Sequence, residues 1–173
     1  MGVYSQELSV DVSKSTLKWN AKKVTGEHYG TIKLKEGKFT VKDNQIVSGN
    51  FVIDMQTIVN EDVENAEWNK KLVDHLNSDD FFSTSAFKTS LLSNIKSTKF
   101  ANGKAMAEAD LTIKGQTYPI KFEVTQEGKT YKTLITVDRT KYNIKYGSGK
   151  FFDNLGDKAI NDEFSLVVTI MAN

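Results

Sequence analysis

An all-β fold, one antiparallel sheet of eight or nine strands closed into a barrel, is predicted for this chain by three observations. Apolar residues recur at every second position through most of the 173 residues. Short glycine-containing breaks, "KEGK" (35–38), "KGQT" (114–117) and "QEGK" (126–129), separate the alternating runs and read as hairpins. Proline occurs once, at Pro119, near a strand start where its missing N–H does least harm. Side chains of a strand point alternately to opposite faces, so this alternation marks strands buried on one side. Such strands must bury that side without leaving sticky edges, and closure into a barrel does both.

The elements follow in order. Leu17, Trp19 and Ala21 share a face against Lys18, Asn20 and Lys22; His28, Gly30, Ile32 and Leu34 alternate with Tyr29, Thr31 and Lys33. Gly49, Phe51, Ile53 and Met55 oppose Asn50, Val52 and Asp54. Ala105, Ala107, Ala109, Leu111 and Ile113 form the next stripe, followed by Ile120, Phe122 and Val124, then Phe164, Leu166, Val168 and Ile170. Strands are placed near 15–23, 28–35, 38–43, 45–55, 86–95, 103–113, 117–125, 129–138 and 162–172. One segment, "NEDVENAEWNKKLVDHLNSDDFF" (60–82), departs from period two, with Leu72, Val73 and Leu76 at helical spacing. It predicts one or two short helices inserted near 60–78, capped by Asn60 or Asp62 and lying across or plugging one end of the barrel. Residues 139–162 read as a long loop near a mouth.

Composition narrows function. A single domain spans 1–173, with residues 1–6 expected to be a tail left by signal removal or cloning. A net charge of +1 with scattered basic residues gives no footprint for nucleic acid. No apolar run approaches the roughly 18 residues of a membrane helix. Without cysteine there are no disulfides, zinc–thiolate sites or thiol catalysis. A metal site would have to recruit scattered carboxylates around His28 and His75, and no metal is expected. No nucleophile elbow is present, and "GSGK" (147–150) lacks the spacing and following helix of a phosphate loop, so it reads as a flexible turn. No catalytic residue is assigned.

The inward positions carry the most information. Leu17, Trp19, Ala21, Ile32, Leu34, Phe39, Val41, Gly49, Phe51, Ile53, Leu111, Ile113, Ile120, Phe122, Val124, Phe164, Leu166, Val168 and Ile170 are almost uninterrupted by polar groups. An eight-stranded barrel is just wide enough to be filled by side chains or to hold one small ligand. The three inward alanines either leave space or let another element approach closely; periodicity leaves both open. Burying ten carbons would contribute about 8 kcal/mol before ordering costs. His28 reads as a wall residue whose ring nitrogens find a hydroxyl, carbonyl or water partner, with contact to a ligand's polar head as the lesser reading.

The ordered set "LKWNAKK" (17–23), "GEHYG" (26–30), "VSGNFVIDMQTI" (47–58), "KLVDHLNSDDFF" (71–82), "ADLTIKGQTYPI" (109–120), "VDRTKYNIKY" (137–146) and "INDEFSLVVTIMA" (160–172) resembles the YceI-like, polyisoprenoid-binding family. The resemblance implies a lipocalin-like extended barrel around a hydrophobic pore that holds isoprenoids, isoprenoid quinones, or fatty amides or acids. It also implies a periplasmic or secreted location, with the signal peptide removed. Gly26, His28 and Gly30 match the first histidine element; His75, Leu76, Asp80, Phe81 and Phe82 match the second; Asp138 and Arg139 match the D-R-T element. The family often has proline after D-F-F, where this chain reads "STSAFKTS".

The expected function is non-enzymatic binding, transport or sequestration of a long-chain apolar small molecule by a monomer or homodimer. No cofactor is required beyond a bound isoprenoid or other lipid. Trp19, His28, Phe51, Ile53, Phe82, Phe87, Ala107, Leu111, Phe122 and Phe164 are the expected ligand contacts. Asp138 and Arg139 are expected to form an ion pair or loop anchor rather than a ligand clamp. The competing readings are a hydrolase or other enzyme using His28 or a carboxylate on a lipid-like substrate, and a solid-cored interaction module.

Overall fold

A computed structural model describes residues 4–173. Nine strands and one helix follow in order: β1 (Ser5–Ser9), β2 (Thr16–Lys23), β3 (Gly26–Lys42), β4 (Gln45–Asn60), α1 (Ala66–Asn77), β5 (Thr89–Ser97), β6 (Lys104–Ile113), β7 (Gln116–Glu127), β8 (Thr130–Asp138) and β9 (Ile160–Met171). All pairings are antiparallel, in the order β3-β2-β9-β8-β7-β6-β5-β4, and β4 pairs back onto β3. Eight strands therefore close a barrel, as predicted.

The ninth strand, β1, pairs with Lys38–Lys42 of β3, while β2 takes Gly26–Ile32. A single position in the wall is thus filled by two strands end to end. Ser5 and Gln6, expected in a tail, pair with Lys42 and Val41. Residues 1–3 of that tail lie outside the described residues.

The expected hairpin at 35–38 is absent. β3 runs straight through, with an irregularity between Leu34 and Glu36. Gly37 is there for packing: a Cβ on it would lie 2.6 Å from the Phe51 ring and 3.1 Å from Val10. The turn comes later, at Asp43–Asn44, whose φ values are 52° and 60°. Two-residue hairpin turns need positive φ, which Asp and Asn tolerate without glycine. β3 and β4 consequently reach 17 and 16 residues, about 50–55 Å each at ~3.3 Å per residue. The other two expected turns stand, with Lys114–Gly115 and Gly128 in the left-handed region.

One helix forms from the 60–82 segment. Its N-cap is Asn65, whose side chain accepts from the Trp68 N–H, rather than Asn60 or Asp62. Asn60 ends β4 and Asp62 fastens β3, so neither is free to cap. No residue of α1 is fully buried, so the helix leans on the barrel instead of plugging it. Among the described residues no helix is long and apolar enough to cross a membrane.

Because the strands alternate in direction, α1, residues 78–88, the 114–115 turn and residues 139–159 gather at one end, the mouth. The turns at 43–44, 102–103 and 128–129 mark the other end. There Phe39 meets Tyr131 edge-on at 4.9 Å, with Phe51 and Phe100 beside them, and the core is solid.

Candidate ligand-binding cavity

Between these ends lies a cavity of about 180 Å³. Where one water needs about 10–15 Å³ on this measure, it takes the volume of roughly 12–18 waters, or a chain with about as many methylenes. Ile58, Leu76, Phe81, Phe82, Arg139 and Phe164 line it at the mouth, and Phe39, Ile46, Val124, Tyr131 and Ile170 at the floor. Every inward position predicted from alternation lines it except Val41, Gly49 and Ile120. Phe82 and Phe164 meet edge-on, 6.0 Å between centroids.

Seven of the ten expected contacts face this space: Trp19, Phe51, Ile53, Phe82, Leu111, Phe122 and Phe164. Three do not. Ala107 is completely buried opposite Phe122, its register partner, so the alanine stripe brings neighbours close and leaves no room of its own. Phe87 lies partly exposed over the β6–β7 turn, its ring 3.2 Å from where a Gly115 Cβ would stand. His28 has inward parity, opposite Ala21, but sits past the cavity at the rim. Met55, Ile58, Leu92, Ile95, Tyr131 and Ile135 also line the wall. Tyr131, Thr133 and Ile135 alternate plainly in "TYKTLITVD", a signal that was available. The parity break between Met55 and Ile58 hid the latter.

Each motif at the mouth has a local cause. In "GEHYG", Gly26 takes a φ of 150° in the β2–β3 turn. Gly30 lets two backbones touch, since a Cβ there would fall 1.8 Å from the Val59 carbonyl oxygen. The indole N–H of Trp19 donates to that oxygen at 3.2 Å. His28 Nδ1 lies 2.7 Å from Asp62 Oδ2, so its partner is a carboxylate rather than the expected neutral group. Asp62 also accepts from the Tyr29 N–H and the Asn60 amide. Burial raises the Asp62 pKa, but the donors from Tyr29, His28 and Asn60 together outweigh it and hold the carboxyl below its usual range.

In "HLNSDDFF", His75 Nε2 meets Asp80 Oδ2 at 3.0 Å, and the Phe82 N–H donates to the Leu76 carbonyl. That tight reversal turns Leu76, Phe81 and Phe82 together into the cavity. The His75 ring stands edge-on to Phe81 and Tyr146 at 4.9 and 4.7 Å.

Arg139 is the anchor of the 139–159 loop. Only 4% exposed, it donates to the carbonyls of Ile144, Tyr146, Ile160 and Asn161 at 2.8–3.0 Å. Burial lowers its pKa, opposed by Asp162 and Asp138. Asp138 makes no ion pair with it: the carboxylate accepts from Thr140 and meets Lys150 Nζ at 3.5 Å. Lys150 also reaches Asp162, which accepts from the fully buried Ser148 hydroxyl. "GSGK" is therefore a clamped turn, its Ser148 carbonyl accepting from Phe151 and Phe152.

Among the described residues the chain forms a closed antiparallel barrel around an apolar internal cavity, the class of barrel wide enough to hold one small ligand. Within that class, the YceI-like domain matches residues 8–172, and the chain belongs to this family. No curated protein matches the chain. The fold is similar to that of Burkholderia cenocepacia BcnA, at 21% identity and a TM-score of 0.71 over 95% of this chain and 99% of that one. It is also similar to a polyisoprenoid binding domain from Saccharophagus degradans implicated in plant cell wall breakdown, at 14% identity and a TM-score of 0.60 over 96% and 98%. A Campylobacter jejuni YCEI protein aligns over 74% and 73%, at 16% identity and a TM-score of 0.55.

Proposed function

We propose that this chain holds an uncharged, chain-like apolar molecule in its barrel and carries or sequesters it without transforming it. The observation behind this reading is the apolar cavity of about 180 Å³, walled by residues from all eight barrel strands. At ~0.8 kcal/mol per methylene, a dozen buried carbons supply about 10 kcal/mol before ordering costs. Isoprenoids, quinone tails and fatty amides share the required chemistry, and the Saccharophagus degradans domain named for polyisoprenoid binding has the same fold. Trp19, Phe51, Ile53, Phe82, Leu111, Phe122 and Phe164 are the proposed contacts. His28 and His75 are each engaged by an aspartate at the rim, which suits a role in shaping the mouth. We place the protein in a periplasmic or extracellular compartment, as a monomer or homodimer.

Native mass spectrometry of purified protein, followed by organic extraction, tests the reading. A bound lipid, or one taken up on incubation with medium-length prenyl alcohols or quinones, is the expected result. A chain that stays empty against all of them overturns it.

A further inference from the structure

One polar atom in the cavity wall has no task. Ser90 is 5% exposed and lines the cavity, and among the described residues its Oγ is the one buried side-chain N or O atom without a hydrogen-bond partner. It is the second residue of β5, in register with Ile53, which is itself in register with Leu34. Of the other polar residues bordering this space, Arg139 donates to four carbonyls, the Thr133 hydroxyl to the Glu123 carbonyl and the Trp19 indole to the Thr31 and Val59 carbonyls, the Tyr131 hydroxyl accepts from Gln126, and Lys132 and Asn161 are exposed residues. A water beside Ser90 would need two to four polar partners, and apolar neighbours such as Leu34, Ile53 and Ile113 offer none. Leaving a buried hydroxyl unpaired is costly, whereas a valine or alanine would fill the wall without penalty.

We propose that the Ser90 hydroxyl donates to an uncharged oxygen acceptor, a carbonyl or ether, carried by the ligand inside the cavity. This deepens the carrier reading above and rests on it. The group is an acceptor because a hydroxyl has a single hydrogen to place and two lone pairs that tolerate neglect. It is uncharged because a carboxylate here would need a cation inside the cavity, and the guanidinium of Arg139 is spent on backbone while Lys132 is exposed, on the opposite strand parity to Tyr131 and Thr133. Ser90 near the start of β5 puts this oxygen toward the mouth, with the chain running down to Phe39 and Tyr131. The site thus tells a chain bearing one embedded oxygen from a plain hydrocarbon.

The experiment titrates tridecanone, a methyl ketone, and tridecane into the protein, read by the emission of Trp19 in a Trp68→Phe background. The expected result is ketone binding about tenfold tighter than alkane. In Ser90→Ala that ratio falls to about one with alkane affinity unchanged, while Ser90→Thr, which keeps the hydroxyl, restores it. The empty Ser90→Ala protein should melt no lower than the parent, because an unpaired group has been removed. A ratio of one in the parent protein, or a tenfold ratio surviving in Ser90→Ala, overturns the assignment of Ser90 alone. Failure of both probes to bind the parent overturns the carrier reading with it.

Discussion

The two ends of the barrel are closed by different physics. At the 43–44 end, tight hairpins bring Phe39, Phe51, Phe100 and Tyr131 into contact, and Ala105, Ala107 and Gly49 let neighbours pack against them. At the mouth, two irregular segments are held by polar groups, the half-buried Asp62 with His28, Tyr29 and Asn60, and the buried Arg139 with four carbonyls. Apolar packing is non-directional and fails gradually with lost volume, whereas a polar network depends on every partner being present.

Four substitutions sharpen that contrast. Phe39→Ala at the closed end should cost the most, about 3–5 kcal/mol, read as a lower urea midpoint at unchanged slope. It should also extend the cavity floor, so that longer chains appear in the mass spectrum. Arg139→Leu at the mouth should cost about 3 kcal/mol, because four carbonyls lose their donor while the leucine recovers some apolar packing. If the mouth folds independently of the core, hydrogen exchange in this variant will rise in 140–160 and stay protected in β6 and β7.

Asp62→Asn should cost about 1–2 kcal/mol and change the acid response. Asp62 and Asp138 both have folded pKa values below the ordinary 3.8. Each therefore adds stability above pH ~3.8, which is lost as pH falls through its folded value. The parent should lose stability in that window, and Asp62→Asn should do so less steeply. Equal slopes would show that the rim carboxylate is idle. Gly149→Ala should be the smallest change, within about 0.5 kcal/mol, because a Cβ there meets nothing within 4 Å. A large loss would mean that the 147–150 turn is more constrained than its contacts suggest.

The same contrast explains what could be read from sequence. Strands β2, β6, β7 and β9 were legible because each buries one face in the barrel, so alternation and burial coincide. "KEGK" misled because glycine flanked by lysines resembles a turn, while Gly37 serves the Phe51 ring; the true turn, Asp43–Asn44, carries no glycine. The alanine stripe was rightly placed inward, but local pattern cannot tell whether the opposite wall fills the gap, and Phe122 does. Six cavity contacts, Trp19, Phe51, Ile53, Leu111, Phe122 and Phe164, followed from parity, and Phe82 came from the D-F-F element. His28 and Phe87 did not, because where the cavity stops depends on how 61–88 folds back, which no periodicity encodes. Ser90 was invisible for the same reason: a serine in a strand is unremarkable until its partners can be counted.

The wall position shared by β1 and β2 has one more consequence. Between Val10 and Thr16 the backbone leaves the ladder, with Asp11 binding Ser13 and the Ser15 hydroxyl accepting from the Met171 N–H. Residues 33–36 of β3 therefore lack a strand neighbour on that side. The cylinder has a notch at mid-height, and the first strand can peel away as far as that notch while the half around the mouth keeps its full ring of ladders. Shedding those few residues would shorten the vessel from below and leave the ladders around the mouth intact.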